Sequence, residues 1–292
     1  MKKFNIHTKL ELATHLKVHP LEIDRVLAER RKYYRSFKKI KPDGTPRLLY
    51  DPQGPLKLLQ QKVKTHVLDL VPLPDCVHGG VGGRSVVSNA RPHIGKKIVF
   101  CLDIKNFYPS VEPRIARAIF GALGFGSEAS EVLVNITTWD NQLPQGVTTS
   151  TSLANLAMAR VDWRLQKLAA QQGFDYTRWI DDLTLSGHRR LLDFRKLIER
   201  IVIGEGFSVK PEKVRTMHAG MRQVVTGIVV NKKANISREE RKLIRQGVLQ
   251  LWASRRHGDS SLDQVRGKVS WLSQVNPILG GRLANRLPVS SF

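Results

Sequence analysis

Acidic residues, cysteines and long apolar runs are all in short supply in this sequence. Only 25 Asp and Glu stand against 48 Lys and Arg, which leaves a formal net charge of +23. An excess of one sign repels itself in a compact fold and points to a polyanionic partner, most simply a nucleic acid. The two cysteines, Cys76 and Cys101, form no CxxC pair. They exclude a thiolate zinc site and a disulfide framework, and they fit a reducing cytoplasm. No apolar run approaches the roughly 18 residues of a membrane span, so a membrane surface is the weaker explanation of the charge. The basic start, MKKFNIHTKLELATHLKV, lacks the continuous apolar stretch of a signal peptide. The glycine-rich HGGVGGRSVVSNARPH holds no GxxxxGK[ST], so a P-loop is not supported. Low-complexity linkers and internal repeats are also missing.

What is present has a marked arrangement. Residues 1–47 carry thirteen Lys and Arg against five acids, and residues 222–286 carry thirteen against four. The ends are therefore basic, and the middle holds the candidate acidic centre. Periodicity predicts helices over 8–18 and 20–34, and a hairpin pairing 37–40 with 47–50 around the turn signal PDGT. A helix over 55–70 follows, then a strand ending on Asp103, and helices after Ser110 and over 128–138. One long helix is expected over 149–171, then a hairpin, a helix over 189–203, and strands near 207–209, 214–217 and 223–230. The last 60 residues read as a basic helical lobe. There Ser237 with Glu240, and Ser261 with Gln264, have the spacing of capping boxes. Strand, helices, hairpin, helix and strand in that order indicate an α+β fold, an antiparallel sheet with helices on one face.

The hairpin YTRWIDDLTLSG raises the functional question, because Asp181 and Asp182 sit side by side between two β-runs. A solvated turn is the plain explanation, although tight hairpins prefer Asn-Gly or Asp-Gly. If the strand ending at Asp103 neighbours this hairpin, three carboxylates converge. Two of them about 4 Å apart repel by roughly 4 kcal/mol at an effective dielectric near 20. A hard divalent cation, Mg²⁺ or alternatively Mn²⁺, would relieve that repulsion, and two such ions would suit nucleotidyl transfer.

FCLDIKNFYPSV, LPQGVTTSTSLANL, YTRWIDDLTLSG, GFSVKPEKVRT and RQVVTGIVVN occur in the order and approximate spacing of the palm motifs of reverse transcriptases. NARPH resembles the NAxxH element, and VTG the late VTG element, of the bacterial retron type. The resemblance spans about residues 30–275. It implies a right-hand polymerase with N-terminal helices and fingers over 1–100, a palm over 101–231 and a helical thumb over 232–292. It implies two metal ions held by Asp103, Asp181 and Asp182 with the Ile104 carbonyl. Tyr108 would exclude a ribose 2′-hydroxyl, and Gln145 would touch the incoming nucleotide. Arg47, with Lys41, would neutralise its triphosphate; Lys213 would lie near the leaving group and Arg84 near template or nucleotide. Asn89, His93, Val225, Thr226 and Gly227 would serve recognition of a cognate structured RNA. Arg238, Arg241, Lys242, Arg245, Arg255 and Arg256 would follow an RNA or RNA–DNA hybrid backbone, making binding salt-dependent.

The implied activity is RNA-directed DNA synthesis from dNTPs, primed from a 2′-hydroxyl of an internal guanosine. The product would be branched RNA–DNA (msDNA), in antiphage defence with a separate effector protein. Any RNase H activity is expected from another protein. Two departures stand out. Trp179-Ile180 replaces the usual Tyr-Ala before the aspartates, which predicts a slower or more selective site. Thr148 and Thr151 replace two prolines often found after LPQG. Another bacterial reverse transcriptase lineage (group II-like, diversity-generating or abortive-infection), or an RNA-binding scaffold with a decayed site, are the alternatives.

Overall fold

The computed structural model describes residues 3–40, 44–254 and 260–287. Thr8 opens the chain's first helix, α1 (Lys9–Leu16), through a reciprocal capping box with Glu11. Pro20 sits at the first position of α2 (Pro20–Ala28), where its missing N–H costs nothing. The helix predicted to run to residue 34 stops earlier. Residues 30–33 tighten into a 3₁₀ turn, and Tyr34 begins β1 (Tyr34–Ile40), which pairs antiparallel with β2 (Pro46–Pro52). After α3 (Gly54–His66) comes a second 3₁₀ turn over Leu68–Leu70, again where a longer helix was expected.

A short α4 (Val86–Ala90) leads to β3 (Ile98–Asp103), the strand on which the molecule is organised. The helices α5 (Phe107–Ser110), α6 (Pro113–Ala122) and α7 (Ser127–Thr137) follow. The segment expected to form one long helix is two, α8 (Ser150–Ala157) and α9 (Ala159–Gln172). Met158, at φ −83° and ψ −1°, separates them but stays near helical geometry, so the apolar stripe continues through the break. The hairpin β4 (Asp175–Trp179) and β5 (Asp182–Gly187) and the helix α10 (Leu191–Gly204) come next, then β6 (Arg215–His218). The strand predicted near 207–209 reduces to one bridge between Ile104 and Val209, because the chain turns away at Asn106 (φ 48°). The strand predicted over 223–230 is folded back on itself as β7 (Val224–Val225) and β8 (Ile228–Val229). Thr226 and Gly227 between them have φ of 46° and 84°, which makes the reversal. The C-terminal region contains α11 (Arg238–Ser254), α12 (Ser260–Val275) and α13 (Pro277–Ala284). Ser237 Oγ accepts from Glu240 N at 3.0 Å, as its capping spacing predicts; Ser261 lies where no side chain is described.

The main sheet is antiparallel, in the order β4-β5-β3-β6. Its central strand alternates between two cores, as a pleat with period two requires. Ile98, Phe100 and Leu102 join the larger core, which includes residues of α9 and α10 and extends into α1, α3, α6 and α7. Val99 and Cys101 join a second core with α4, β7, β8 and the helices α11 to α13. The expectation of helices on one face is therefore incomplete: the second face is covered as well. This double cover explains why IVFCLD reads as an unbroken apolar run.

Candidate active site

Register alone brings two of the three aspartates together. Asp103, the last residue of β3, lies directly opposite Asp182, the first of β5. Asp181 occupies the turn between β4 and β5, and its carbonyl accepts the Ile104 amide at 3.1 Å. The exit of β3 is thus stitched to the turn that carries the acidic pair. Asp103 is 4 % exposed, and its Oδ2 accepts from Lys213 Nζ at 2.6 Å.

The turn is strained. Ile180 has φ 57°, a left-handed conformation in which a β-branched residue is an outlier. A fully buried arginine supports it: Arg178 Nη1 donates to the Ile180 carbonyl at 2.8 Å and to Asn155 Oδ1 at 2.8 Å. The other edge of the guanidinium makes a bidentate pair with buried Asp162, at 2.8 and 2.6 Å. Tyr176 adds a 2.7 Å hydrogen bond to the same carboxylate. On the outside of β4, residues 76–80 run alongside the strand. Arg178 N donates to Cys76 O at 2.7 Å, and His78 N to Arg178 O at 2.8 Å. A Cβ on Gly79 would collide with Ile180, so only glycine fits against the turn.

A cleft of about 650 Å³ opens in front of the aspartates. Seven residues named from the sequence line it: Arg47, Asp103, Ile104, Tyr108, Gln145, Asp181 and Lys213. Gln145 is carried there by the LPQG loop, whose backbone is hooked to β2 through Tyr50 N to Gln145 O, 2.7 Å. Burial first, then the charge of Asp103, pushes the Asp181 carboxyl above its ordinary range. Burial, then Asp181 and Asp103, pushes Asp182 up to about 6. Partial burial lowers the Lys213 pKa, but its hydrogen bond to Asp103 and the surrounding carboxylates outweigh that and raise it. One ammonium does not neutralise this cluster, and hard carboxylate oxygens short of positive charge suit a hard divalent cation. Among the described residues no three His, Cys, Asp or Glu side chains form a ready-made metal cage. Asp103 instead holds Lys213.

Other expected contacts lie elsewhere. Arg84 is outside the cleft. Its guanidinium donates to the carbonyls of Pro74 (2.6 Å) and Val77 and pairs with Asp75 at 3.2 Å, pinning the glycine-rich loop. Asn89 and His93 are fully buried. His93 bridges Ser186 and Thr177 at 2.7 Å each, inside the sheet's second face. Asn89 Nδ2 donates to Thr226 Oγ1 at 3.3 Å, and Thr226 donates to Val86 O at 3.2 Å. The NAxxH and VTG elements therefore meet, and Val225 between them is in the core. The side chains of Asn89, His93 and Val225 are buried, Thr226 is partly buried and Gly227 is exposed. Arg238 and Arg241 line a separate hollow with Lys97, Arg222, Lys232 and Lys233. Lys242 and Arg245 are exposed on α11. Lys41, Arg255 and Arg256 lie outside the described residues.

The profile of the reverse transcriptase (RNA-dependent DNA polymerase) family matches residues 39–259. The chain is 31 % identical to the Retron Ec86 reverse transcriptase of Escherichia coli, over 93 % of this chain and 85 % of that protein. The chain belongs to the reverse transcriptase family, in its retron branch. It is 35 % identical to the Retron Mx65 reverse transcriptase of Myxococcus xanthus across 88 % of its own length, and 29 % identical to the Retron Mx162 enzyme of the same organism across 96 %. It spans 65 % and 62 % of those two relatives. In this reverse transcriptase chain, the Asp162–Arg178–Asn155 group is the part of the site that no motif announces. An arginine directly before WIDD and an aspartate on a helix's apolar side were the available signals.

Proposed function

We propose that this chain is an RNA-directed DNA polymerase serving a retron. The observation that carries the reading is the single cleft that gathers Arg47, Tyr108, Gln145 and Lys213 around Asp103 and Asp181, with Asp182 paired to Asp103 in register. Asp103, Asp181, Asp182 and the Ile104 carbonyl would hold divalent metal, two Mg²⁺ ions or alternatively Mn²⁺. Bound there, the metal would supply charge neutralisation for phosphoryl transfer. Arg47, with Lys41, would clamp the triphosphate of a dNTP by the fork geometry that suits Arg. Tyr108 would close the sugar side, and Gln145 would brace the nucleotide. Lys213, free to leave Asp103 once cations arrive, would donate toward the leaving group.

Fingers over 1–100, palm over 101–231 and thumb over 232–292 are the corresponding division. The basic hollow, with the exposed cations of α11, would follow the phosphates of a structured RNA or a hybrid. Asn89, His93 and the Val225–Gly227 turn would serve RNA recognition by fixing the seam between palm and thumb rather than by touching bases. The product would be msDNA, primed from a guanosine 2′-hydroxyl, made in the cytoplasm for antiphage defence with a separate effector. No helix among the described residues is long and apolar enough to cross a membrane.

Expression with the native flanking DNA tests this reading. Copurifying nucleic acid is run on a denaturing gel before and after RNase, beside Asp181→Asn/Asp182→Asn. The expected result is a discrete DNA band that shifts with RNase and is missing from the variant. RNA alone in both proteins would overturn self-primed synthesis on a dedicated RNA, in favour of an RNA-binding scaffold or an enzyme that needs another template.

A further inference from the structure

We infer that the Thr151 hydroxyl sets sugar specificity by holding the Tyr108 ring in the attitude that excludes a 2′-hydroxyl. The inference rests on the polymerase reading and deepens it at one residue. Tyr108 belongs to a helix of only four residues, entered through Asn106 at φ 48°. So short an element does little to fix a ring that stands at the wall of an open cleft. The phenolic oxygen, however, lies 3.0 Å from Thr151 Oγ1 in the first turn of α8. Burial raises the Tyr108 pKa, so the phenol keeps its proton and the contact is a neutral hydroxyl pair.

Thr151 is itself held. Its Cγ2 methyl faces Gly80, where any Cβ would overlap it, and Gly80 has φ 72°. Threonine has few side-chain rotamers, so seating the methyl against Gly80 also fixes where the hydroxyl points. Asn155, one turn along α8, donates to the Gly79 carbonyl at 2.9 Å and ties this glycine pair to the helix. The result is a short chain of contacts from the glycine-rich loop through Thr151 to the Tyr108 ring. A proline at 151 could not make the last of them. Thr151 is a positioning residue, acting on the sugar only through Tyr108.

The test uses the full chain on poly(rC) primed with oligo(dG), because dGTP and GTP differ only by the 2′-hydroxyl. The readout is the ratio of kcat/KM for dGTP to that for GTP, with melting curves for every variant. Thr151→Val and Tyr108→Phe are each expected to lower the ratio by about three- to tenfold, the range of one ordinary hydrogen bond. The double variant should fall no further than either single one, and Thr151→Ser should retain most of the ratio. A Thr151→Val protein that melts earlier yet keeps the wild-type ratio overturns the inference, as do independent, additive effects of the two substitutions. If Tyr108→Ala collapses the ratio while Thr151→Val leaves it intact, the polymerase reading stands and Thr151 is only structural. A wild-type protein that extends nothing overturns both.

Discussion

Two turns of this molecule are built alike and used differently. Ile180 and Thr226 are both β-branched, both at positive φ, and both turns accept a side-chain hydrogen bond, from Arg178 two residues earlier at Ile180 and from distant Asn89 at Thr226. At Ile180 the support is a buried ion pair, and the strained turn presents Asp181 to an open cleft with Asp182 beside it, burial raising both pKa values. At Thr226 the support is the neutral Asn89 amide, and the turn closes onto a second apolar core. Strain beside uncompensated charge suits a site that works on a ligand; strain beside neutral, buried groups suits a joint. The sequence elements that resemble the retron type fall on the joint, and the acidic pair falls on the open turn.

The largest expected effect separates the two turns by activity. Asp181→Asn or Asp182→Asn should cut nucleotide incorporation by about 10³-fold or more, since several kcal/mol of charge stabilisation is lost. The same Asp182 change should stabilise the metal-free protein at pH 7.5. Its folded pKa of about 6 lies above the ordinary 3.8, so ionisation opposes folding at neutral pH and the penalty fades as pH falls from about 6 toward 3.8. Removing that charge is worth up to about 3 kcal/mol, read by denaturant unfolding. Breaking the buried pair under the first turn comes next. Arg178→Met leaves Asp162 buried without its partner and should cost about 3–5 kcal/mol of stability.

The joint should respond less. Asn89→Ala removes one partner of the Thr226 hydroxyl and should cost about 1–2 kcal/mol in unfolding experiments. Acid should reach the joint through His93, whose pKa burial pushes down to about 3 from 6.5. A depressed histidine pKa makes stability fall as pH drops below 6.5. Between pH 7 and 5 this amounts to at most about 2 kcal/mol, and His93→Gln should flatten that part of the pH–stability curve. The smallest change is kinetic. Trp179→Tyr/Ile180→Ala should alter the rate or selectivity of single-turnover incorporation, and identical values would remove any role for this departure.

Much of this was legible in the sequence, for reasons that differ by element. Asp103 and the WIDD pair were readable because an apolar strand ending in a carboxylate, and a hairpin interrupted by two, are local patterns. Their meeting was readable too, once the strands were taken as neighbours. The break at Met158 was not, since near-helical angles leave the apolar spacing undisturbed. Nor was the reversal at Thr226, because threonine is a poor candidate for positive φ and only its partners keep it there. Arg84 and His93 show the limit most clearly. An arginine in a glycine-rich loop and a histidine after a proline look exposed in one dimension, and the fold gives both to its own backbone and hydroxyl groups.

The central claim is that Asp103, Asp181 and Asp182 work as one metal-dependent centre for RNA-templated DNA synthesis. Single-nucleotide extension of a DNA primer on an RNA template measures it most directly, with Mg²⁺, with EDTA, and in Asp181→Asn. The account predicts extension by the wild type with Mg²⁺ and none in the other two conditions. Undiminished extension in EDTA or in Asp181→Asn would contradict it.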